Sequence, residues 1–218
     1  MNMIFTLVSE ATLETLAMVG FSTVFSLILG LPLGILLCVT DGETGIMKKP
    51  VLNQVLTRIV NALRSFPFMI LMILLFPLSR KIVGTSIGTT ATIVPLSIAA
   101  APFVARIIET ALKEVDPGVV QAARAMGSTN MQIIWKVLLP EAMPSLVSGI
   151  TLTIINLIGY SAMAGAIGGG GLGDLAIRYG YQRFRTDIMA VSVIVILVLV
   201  EVIQVIGTKI SSKLLAKR

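Results

Sequence analysis

Apolar residues in this chain come in long runs separated by short polar breaks. Neither the two-residue alternation of a half-buried strand nor the single apolar stripe of a soluble helix organises them. The first charge-free run covers 15–40 and closes at Asp41. A second is expected over 56–79, with Arg58 and Arg64 confined to its first turns, followed by runs over 82–105, 143–166 and 187–207. About 20 mostly apolar residues carry a helix across a bilayer. The pattern therefore predicts an all-α membrane protein of five transmembrane helices, forming one domain over 1–218. Pro32, Pro67, Pro77, Pro95 and Pro102 fall within these runs, which lipid tolerates only where neighbouring helices or water re-satisfy the freed backbone groups. Gly30 and Gly34 make a GxxxG spacing, read here as a close packing contact within the chain.

Composition supports the membrane class. Charged residues make up 13% of the chain and hydrophobic ones 56%, where soluble domains carry roughly 25% charge. The net charge of +6 does not point to nucleic acid, because the cations sit at the ends of apolar runs and no soluble basic face carries them. No removable signal peptide is expected, since the N-terminus lacks a basic region and a small-residue cleavage site. A lone cysteine, Cys38, and the absence of histidine leave no intrachain disulfide and no zinc set. Segments 41–64, 106–136 and 209–218 hold twelve lysines and arginines, Lys48, Lys49, Arg106, Lys136, Lys213 and Arg218 among them. The opposite segments hold five: Arg80, Lys81, Arg178, Arg183 and Arg185. That asymmetry places the N-terminus outside and the C-terminus in the cytoplasm.

The longest cytoplasmic connection, 106–140, carries its own local signals. Asp116 is an N-cap candidate with Pro117 at the first helical position, where a missing N–H costs nothing. This helix is expected to reach about Met126 and stop at Gly127. Thr129 and Gln132 fit a capping box opening a second short helix that ends before Pro140. On the first helix Val120, Ala123 and Gly127 recur on one face, with Val119, Ala122 and Met126 beside them. A small apolar face without bulky aromatics or several lysines suits a groove on a protein partner better than lipid headgroups.

The order Gln121-Ala122-Ala123-Arg124-Ala125-Met126-Gly127, with Val137-Leu138-Leu139-Pro140 beyond it, resembles the cytoplasmic coupling loop of ABC importer permeases. That family's pattern is Glu-Ala-Ala, three residues, Gly, nine residues, Ile, one residue, Leu-Pro. Ala122, Ala123, Gly127, Leu139 and Pro140 keep their intervals, while Gln121 stands in place of glutamate and Val137 in place of isoleucine. Losing the carboxylate removes a charge-assisted contact but keeps an acceptor. Glu14-Thr15-Leu16-Ala17-Met18, Arg64-Ser65-Phe66-Pro67-Phe68, Ile82-Val83-Gly84-Thr85-Ser86-Ile87-Gly88, Ala101-Pro102-Phe103-Val104-Ala105-Arg106, Gly159-Tyr160-Ser161-Ala162-Met163 and Gly170-Gly171-Leu172-Gly173 are similar to the methionine-uptake branch. The resemblance runs from Glu14 to the last span. It implies a homodimer in the bacterial inner membrane, with alternating access at its interface. It also implies two cytoplasmic ABC ATPase subunits gripping Gln121, Ala122, Ala123, Arg124, Met126 and Gly127, and an extracytoplasmic methionine-binding protein. L- and D-methionine are the implied cargo, with other amino acids as the alternative. No catalytic residue, cofactor or metal is implied for this chain.

Three motifs point elsewhere and are set aside. Gly168, Gly170 and Gly173 satisfy GxGxxG, but the expected context is a membrane helix rather than a strand, so a flexible turn is the reading. Asp174 stands where a P-loop needs lysine, so ATP is handled by another chain. Gly159-Tyr160-Ser161 opens like a serine-nucleophile motif but has no histidine to act as base. A stand-alone secondary transporter is the better rival, and Glu201 is the ionisable residue well inside a span. Its expected role is snorkelling or pairing with a neighbouring helix. For the route itself, Asn156, Tyr160, Ser161 and Met163 on the fourth span are the candidates, with Asn61 opposite. Asn156 and Tyr160 are one turn apart, and Met163 with Tyr160 is the expected outer closure.

Overall fold

The computed structural model describes residues 2–216, so Arg218, counted above, lies outside the described residues; every regular element among them is helical. Four helices are long and apolar enough to cross a membrane: Ile4–Val39, Thr89–Lys113, Asn130–Gly165 and Thr186–Leu215. The first begins well ahead of the expected 15–40 because Glu10 and Glu14 are accommodated within α1, Asn2–Val39. The last, α9, Thr186–Leu215, runs two turns past the expected end.

The second span departs most from expectation. In place of one helix over 56–79 there are two, α2, Pro50–Arg64, and α3, Phe68–Val83, bent by 101° at the break. Pro67 lacks an N–H to continue the ladder and drives Phe66 out of the helical region, so the first helix stops and a second starts. At about 1.5 Å per residue neither piece alone reaches across a hydrocarbon core of about 30 Å. The fifth crossing therefore exists only if the bent pair is taken as one span. The third expected span, 82–105, is also shifted. Gly84 at φ 84° closes α3, its N–H bonded to the Arg80 carbonyl, and α4 covers Thr89–Lys113. Residues 106–113, expected in the cytoplasmic loop, thus belong to α4.

After α5, Pro117–Ala125, the capping box at Thr129 opens α6, Asn130–Ile133, as expected. It does not close before Pro140. The helix widens into a π segment over Ile134–Leu138 and continues as α7, Leu139–Gly165. Leu139 N–H bonds back to the Ile134 carbonyl, five residues away, and the wide turn gives the Pro140 ring room within a continuous helix. A short α8, Gly171–Leu175, and a second π segment, Ala176–Tyr181, precede α9.

The chain divides into two compact units. One holds the chain up to Ser26, Phe66–Ala100 and Thr153–Val205; the other holds Leu27–Ser65, Ala101–Leu152 and the chain from Ile206 on. In the first unit Met18, Val19, Leu96, Ala100, Leu157 and Ile158 are buried together. Beside them Phe68 and Tyr160 stack, with ring centroids 4.5 Å apart and planes within 8°. In the second, Val104, Ile108, Leu112, Ile133, Leu138 and Ala142 form the core. The GxxxG spacing works inside this unit, as expected. A Cβ on Gly30 would lie 2.7 Å from the Ala101 carbonyl oxygen, and one on Gly34 would lie 2.6 Å from that of Ala105.

Candidate functional site

The second unit presents α5 on a stiff mount. Asp116 accepts the Gly118 N–H at 2.7 Å, with Pro117 opening the helix. At the other end Gly127 sits at φ 81°, its N–H bonded to the Arg124 carbonyl and the Ser128 N–H bonded to that of Ala123. This paired closure satisfies carbonyls that a helix end leaves open. Thr129 then accepts the Gln132 N–H at 3.3 Å, while the Gln132 side chain accepts the Thr129 N–H at 2.8 Å. The turn from α5 into α6 is thereby held on both sides.

Burial sorts the predicted coupling residues. Ala123 is 3% exposed and packs into its own chain's core, with Val120 against it. The outward face consists of Gln121, Ala122, Ala125 and Met126, with Val119 beside them; Met126 is 80% exposed. The expected contact face therefore turns: the Val120–Ala123 stripe seats α5 on the molecule, and the Val119–Ala122–Met126 stripe points away. Arg124 reaches sideways, donating from Nη2 to the Ile46 carbonyl at 3.0 Å in the loop between α1 and α2.

Beneath that loop lies a line of charge that local sequence patterns did not reveal. Lys113 Nζ meets Asp41 Oδ2 at 2.8 Å and Glu109 Oε1 at 2.9 Å. Glu109 Oε2 meets Arg106 Nη1 at 2.5 Å, and Arg106 Nη2 donates to Asn61 Oδ1 at 2.9 Å. Glu109 is 4% exposed. The hydrogen bond from Lys113 holds the Asp41 carboxyl well below its ordinary range, aided by the Thr44 and Glu43 N–H groups. A depressed carboxylate stabilises above its unfolded pKa of about 3.9 and loses that contribution only as pH falls through the lowered value. The Asp41–Lys113 pair is therefore expected to survive mildly acidic conditions. A cavity of about 370 Å³ adjoins these groups, lined by Ile46, Lys113, Val120, Gln121 and Arg124 among others.

In the first unit, the α7 candidates divide as well. Asn156, Gly159 and Met163 are exposed at helical spacing, Met163 by 49%, and a Cβ on Gly159 would meet nothing within 4 Å. Tyr160 is half-buried by its stack on Phe68. Ser161 is buried, its hydroxyl donating to the Ile158 carbonyl at 2.8 Å, apart from the exposed stripe. Asn61 belongs to the other unit, where its amide oxygen is taken by Arg106. Glu201 is exposed on α9, and no cation pairs with it among the described residues.

The glycine-rich segment is packed rather than a flexible turn. Gly168, Gly170 and Gly171 take positive φ, and a Cβ on Gly170 would lie 2.9 Å from Glu14 Oε2. Glu14 Oε2 accepts the Gly171 N–H at 2.7 Å, and Thr15 Oγ1 accepts the Leu172 N–H at 2.9 Å. The Gly88 N–H bonds the Gly168 carbonyl at 2.9 Å. Three segments quoted above for their resemblance thus meet at one place. Burial raises the Asp174 pKa, opposed by Arg178 at 2.6 Å and reinforced by Glu14. Replacing Glu14 with Gln, which keeps an acceptor, is expected to preserve the segment. Glu14→Leu is expected to free it, with faster amide exchange at Gly171 and Leu172 as the readout.

Comparison with known proteins bears on this arrangement. The family described as "Binding-protein-dependent transport system inner membrane component" matches residues 30–216. The probable D-methionine transport system permease protein MetI of Vibrio cholerae is 53% identical over 201 residues, covering 92% of this chain and 89% of that protein. The methionine import system permease protein MetP of Bacillus subtilis is 51% identical over 160 residues, covering 73% and 72%. Among solved structures, the MetNI methionine ABC transporter in inward-facing conformations aligns with a TM-score of 0.95 at 45% identity, covering 98% of this chain and 99% of that one. An amino acid ABC transporter solved with histidines shares the fold, with a TM-score of 0.73 at 20% identity.

Proposed function

We infer the function from one premise: this chain belongs to the family of binding-protein-dependent transport system inner membrane components. It is a multi-pass membrane permease subunit of an ABC importer and not the ATPase. The cargo is methionine, in both L and D forms. Relatives named for D-methionine transport and for methionine import, each about half identical, support that reading. With the bent α2–α3 pair counted as one crossing there are five, so the termini lie on opposite sides; the lysine and arginine asymmetry supports the N-terminus outside and the C-terminus inside.

In this reading two copies enclose a pathway, two cytoplasmic ATPase subunits hold α5, and an extracytoplasmic methionine-binding protein delivers cargo. The observation that carries it is the α5 mount. A short helix seated by Ala123 and closed by Gly127 offers Gln121, Ala122 and Met126 outward as one unit. Such a helix transmits a push from a partner without bending, because both of its ends are tied. The experiment is to co-purify the chain with its ATPase and binding protein in proteoliposomes and screen amino acids. Methionine should stimulate hydrolysis and enter the vesicles. Solute movement by the purified chain alone, with no ATPase, would overturn the reading.

The exposed stripe of Asn156, Gly159 and Met163 is the surface on which a second copy closes the route. Gly159 leaves room for a close approach, and Asn156 supplies modest polarity without a fixed charge. Met163→Ala is expected to raise ATP hydrolysis in the absence of cargo, or to let methionine leak. Unchanged basal hydrolysis and an intact barrier to labelled methionine would remove Met163 from the closure.

A further inference from the structure

Five side chains from three separate stretches of the sequence form one unbroken polar line in the second unit. It runs from Asp41 through Lys113, Glu109 and Arg106 to Asn61, with every link between 2.5 and 2.9 Å. Its two ends sit on different elements. Asp41 organises the α1–α2 loop, accepting the N–H groups of Glu43 and Thr44, each at 2.9 Å. The same loop is closed by Met47 N–H to the Val39 carbonyl at 2.8 Å and Lys49 N–H to that of Thr40 at 3.0 Å. These bonds tie the loop to itself, and Arg124 of α5 donates to it at the Ile46 carbonyl. At the far end Asn61 belongs to α2.

We propose that this line is the linkage by which a displacement of α5, passed to the loop, reaches α4 and the Asn61 end of α2, with Asp41, Lys113 and Glu109 as positioning residues. The assignment rests on the importer reading and deepens it. Two features argue for a transmitting role over a merely stabilising one. First, an interior carboxylate held by two cations adds little net stability, because desolvating the charges offsets their attraction; apolar residues of similar size fill such a site as well. What ion pairs supply that apolar packing does not is direction, since each link has a fixed length and two defined partners. Second, α5 and the loop are not packed solidly together. The cavity of about 370 Å³ lined by Ile46, Lys113, Gln121 and Arg124 leaves α5 room to shift while the Arg124 contact keeps it attached to the loop. A moving helix, a stiff loop and a chain of short charged contacts make a lever ending on α2.

The test uses the full complex, permease with ATPase and binding protein, in proteoliposomes, and reads methionine moved per ATP hydrolysed. Asp41→Asn keeps an acceptor for the loop N–H groups but removes the charge facing Lys113. Lys113→Met keeps the length and removes both contacts, whereas Lys113→Arg keeps both. Asp41→Asn and Lys113→Met are each expected to lower the transport ratio about tenfold, within the usual range of coupling between sites. ATP hydrolysis should continue in both. Lys113→Arg should stay close to wild type, and the double variant should be no worse than Lys113→Met, because both substitutions cut one line. The proposal is overturned if both single variants keep the wild-type ratio, or if their effects multiply in the double variant. It is equally overturned if transport and hydrolysis fall together in step with the amount of assembled complex, the mark of a structural role. If Lys113→Met fails to assemble, Asp41→Asn and Lys113→Arg decide by the same ratio. Wild type serves as the separate control: without methionine-dependent transport there, the importer reading itself falls.

Discussion

Replacing Gly127 with valine is expected to cut methionine uptake by the assembled transporter roughly tenfold or more, while the chain still inserts in the membrane. Gly127 holds φ 81°, and a Cβ there would meet nothing within 4 Å. The damage is therefore conformational, with no steric clash behind it. A β-branched residue in the left-handed region is strained by about 1–3 kcal/mol, and the chain relieves this by leaving that region. Doing so breaks the bonds from Gly127 N–H to Arg124 and from Ser128 N–H to Ala123, and α5 loses its fixed angle to α6. The turn lies at the exposed edge of the unit, so the membrane-spanning helices are untouched. Gly127→Asn is the control, since asparagine visits left-handed backbone more readily than other side chains, and it should retain much of the activity. Uptake by Gly127→Val vesicles equal to wild type would remove the turn from the coupling path.

Gly34→Leu is expected to produce the largest loss of stability of any single change considered. Its Cβ would lie 2.6 Å from the Ala105 carbonyl oxygen and 2.7 Å from Ile108 Cβ, with backbone and a branched side chain as the obstacles. Between helices in lipid there is no hydrophobic drive to compensate, because lipid tails are as apolar as leucine; close packing itself holds α1 to α4. Overfilling such a contact costs about 3 kcal/mol or more, and the melting temperature of the solubilised protein should fall by on the order of 10 °C. A GxxxG pair serving instead as a contact between two copies would respond differently. Gly34→Leu would then split the dimer and leave each chain's melting temperature in place. Melting and mass measurement on the same sample separate the two outcomes.

Several features were legible because their causes lie within a few residues of each other. Asp116 and Pro117 start α5, Gly127 ends it, and Thr129 with Gln132 opens α6, all at the expected positions. Hydropathy located the four long helices, although their ends extend beyond the apolar runs. The same local reasoning failed at proline. Pro67 and Pro140 look alike in sequence, yet Pro67 stops a helix at a bend of 101° and Pro140 is absorbed by a π segment. The π segment before Pro140 makes the difference, and hydropathy carries no trace of it.

The coupling residues show the same division. Their order makes α5 the proposed place of contact, but amphipathic spacing alone does not tell the mounting face from the free one. Ala123 is small and apolar in either role, and only the core around Ile133 and Leu138 turns it inward. Glu109 falls in the stretch 106–140 expected to be a cytoplasmic connection, where charge is ordinarily at the surface. It is buried because Lys113 and Arg106, one turn to either side on α4, neutralise it there.

What the order of residues determined by itself is a helical membrane protein with a capped, glycine-ended helix in its longest polar connection. Those properties follow from hydrogen bonds and apolar runs that a single segment satisfies alone. Tertiary structure alone decided which face of α5 is free, that the GxxxG pair is used between α1 and α4, and that Glu14 ties down Gly171. It also joined Asp41 to Asn61 through three charges on α4. The physical reason is distance along the chain. A carboxylate finds a donor 157 residues away only after several helices have packed, and that geometry is a property of the packing.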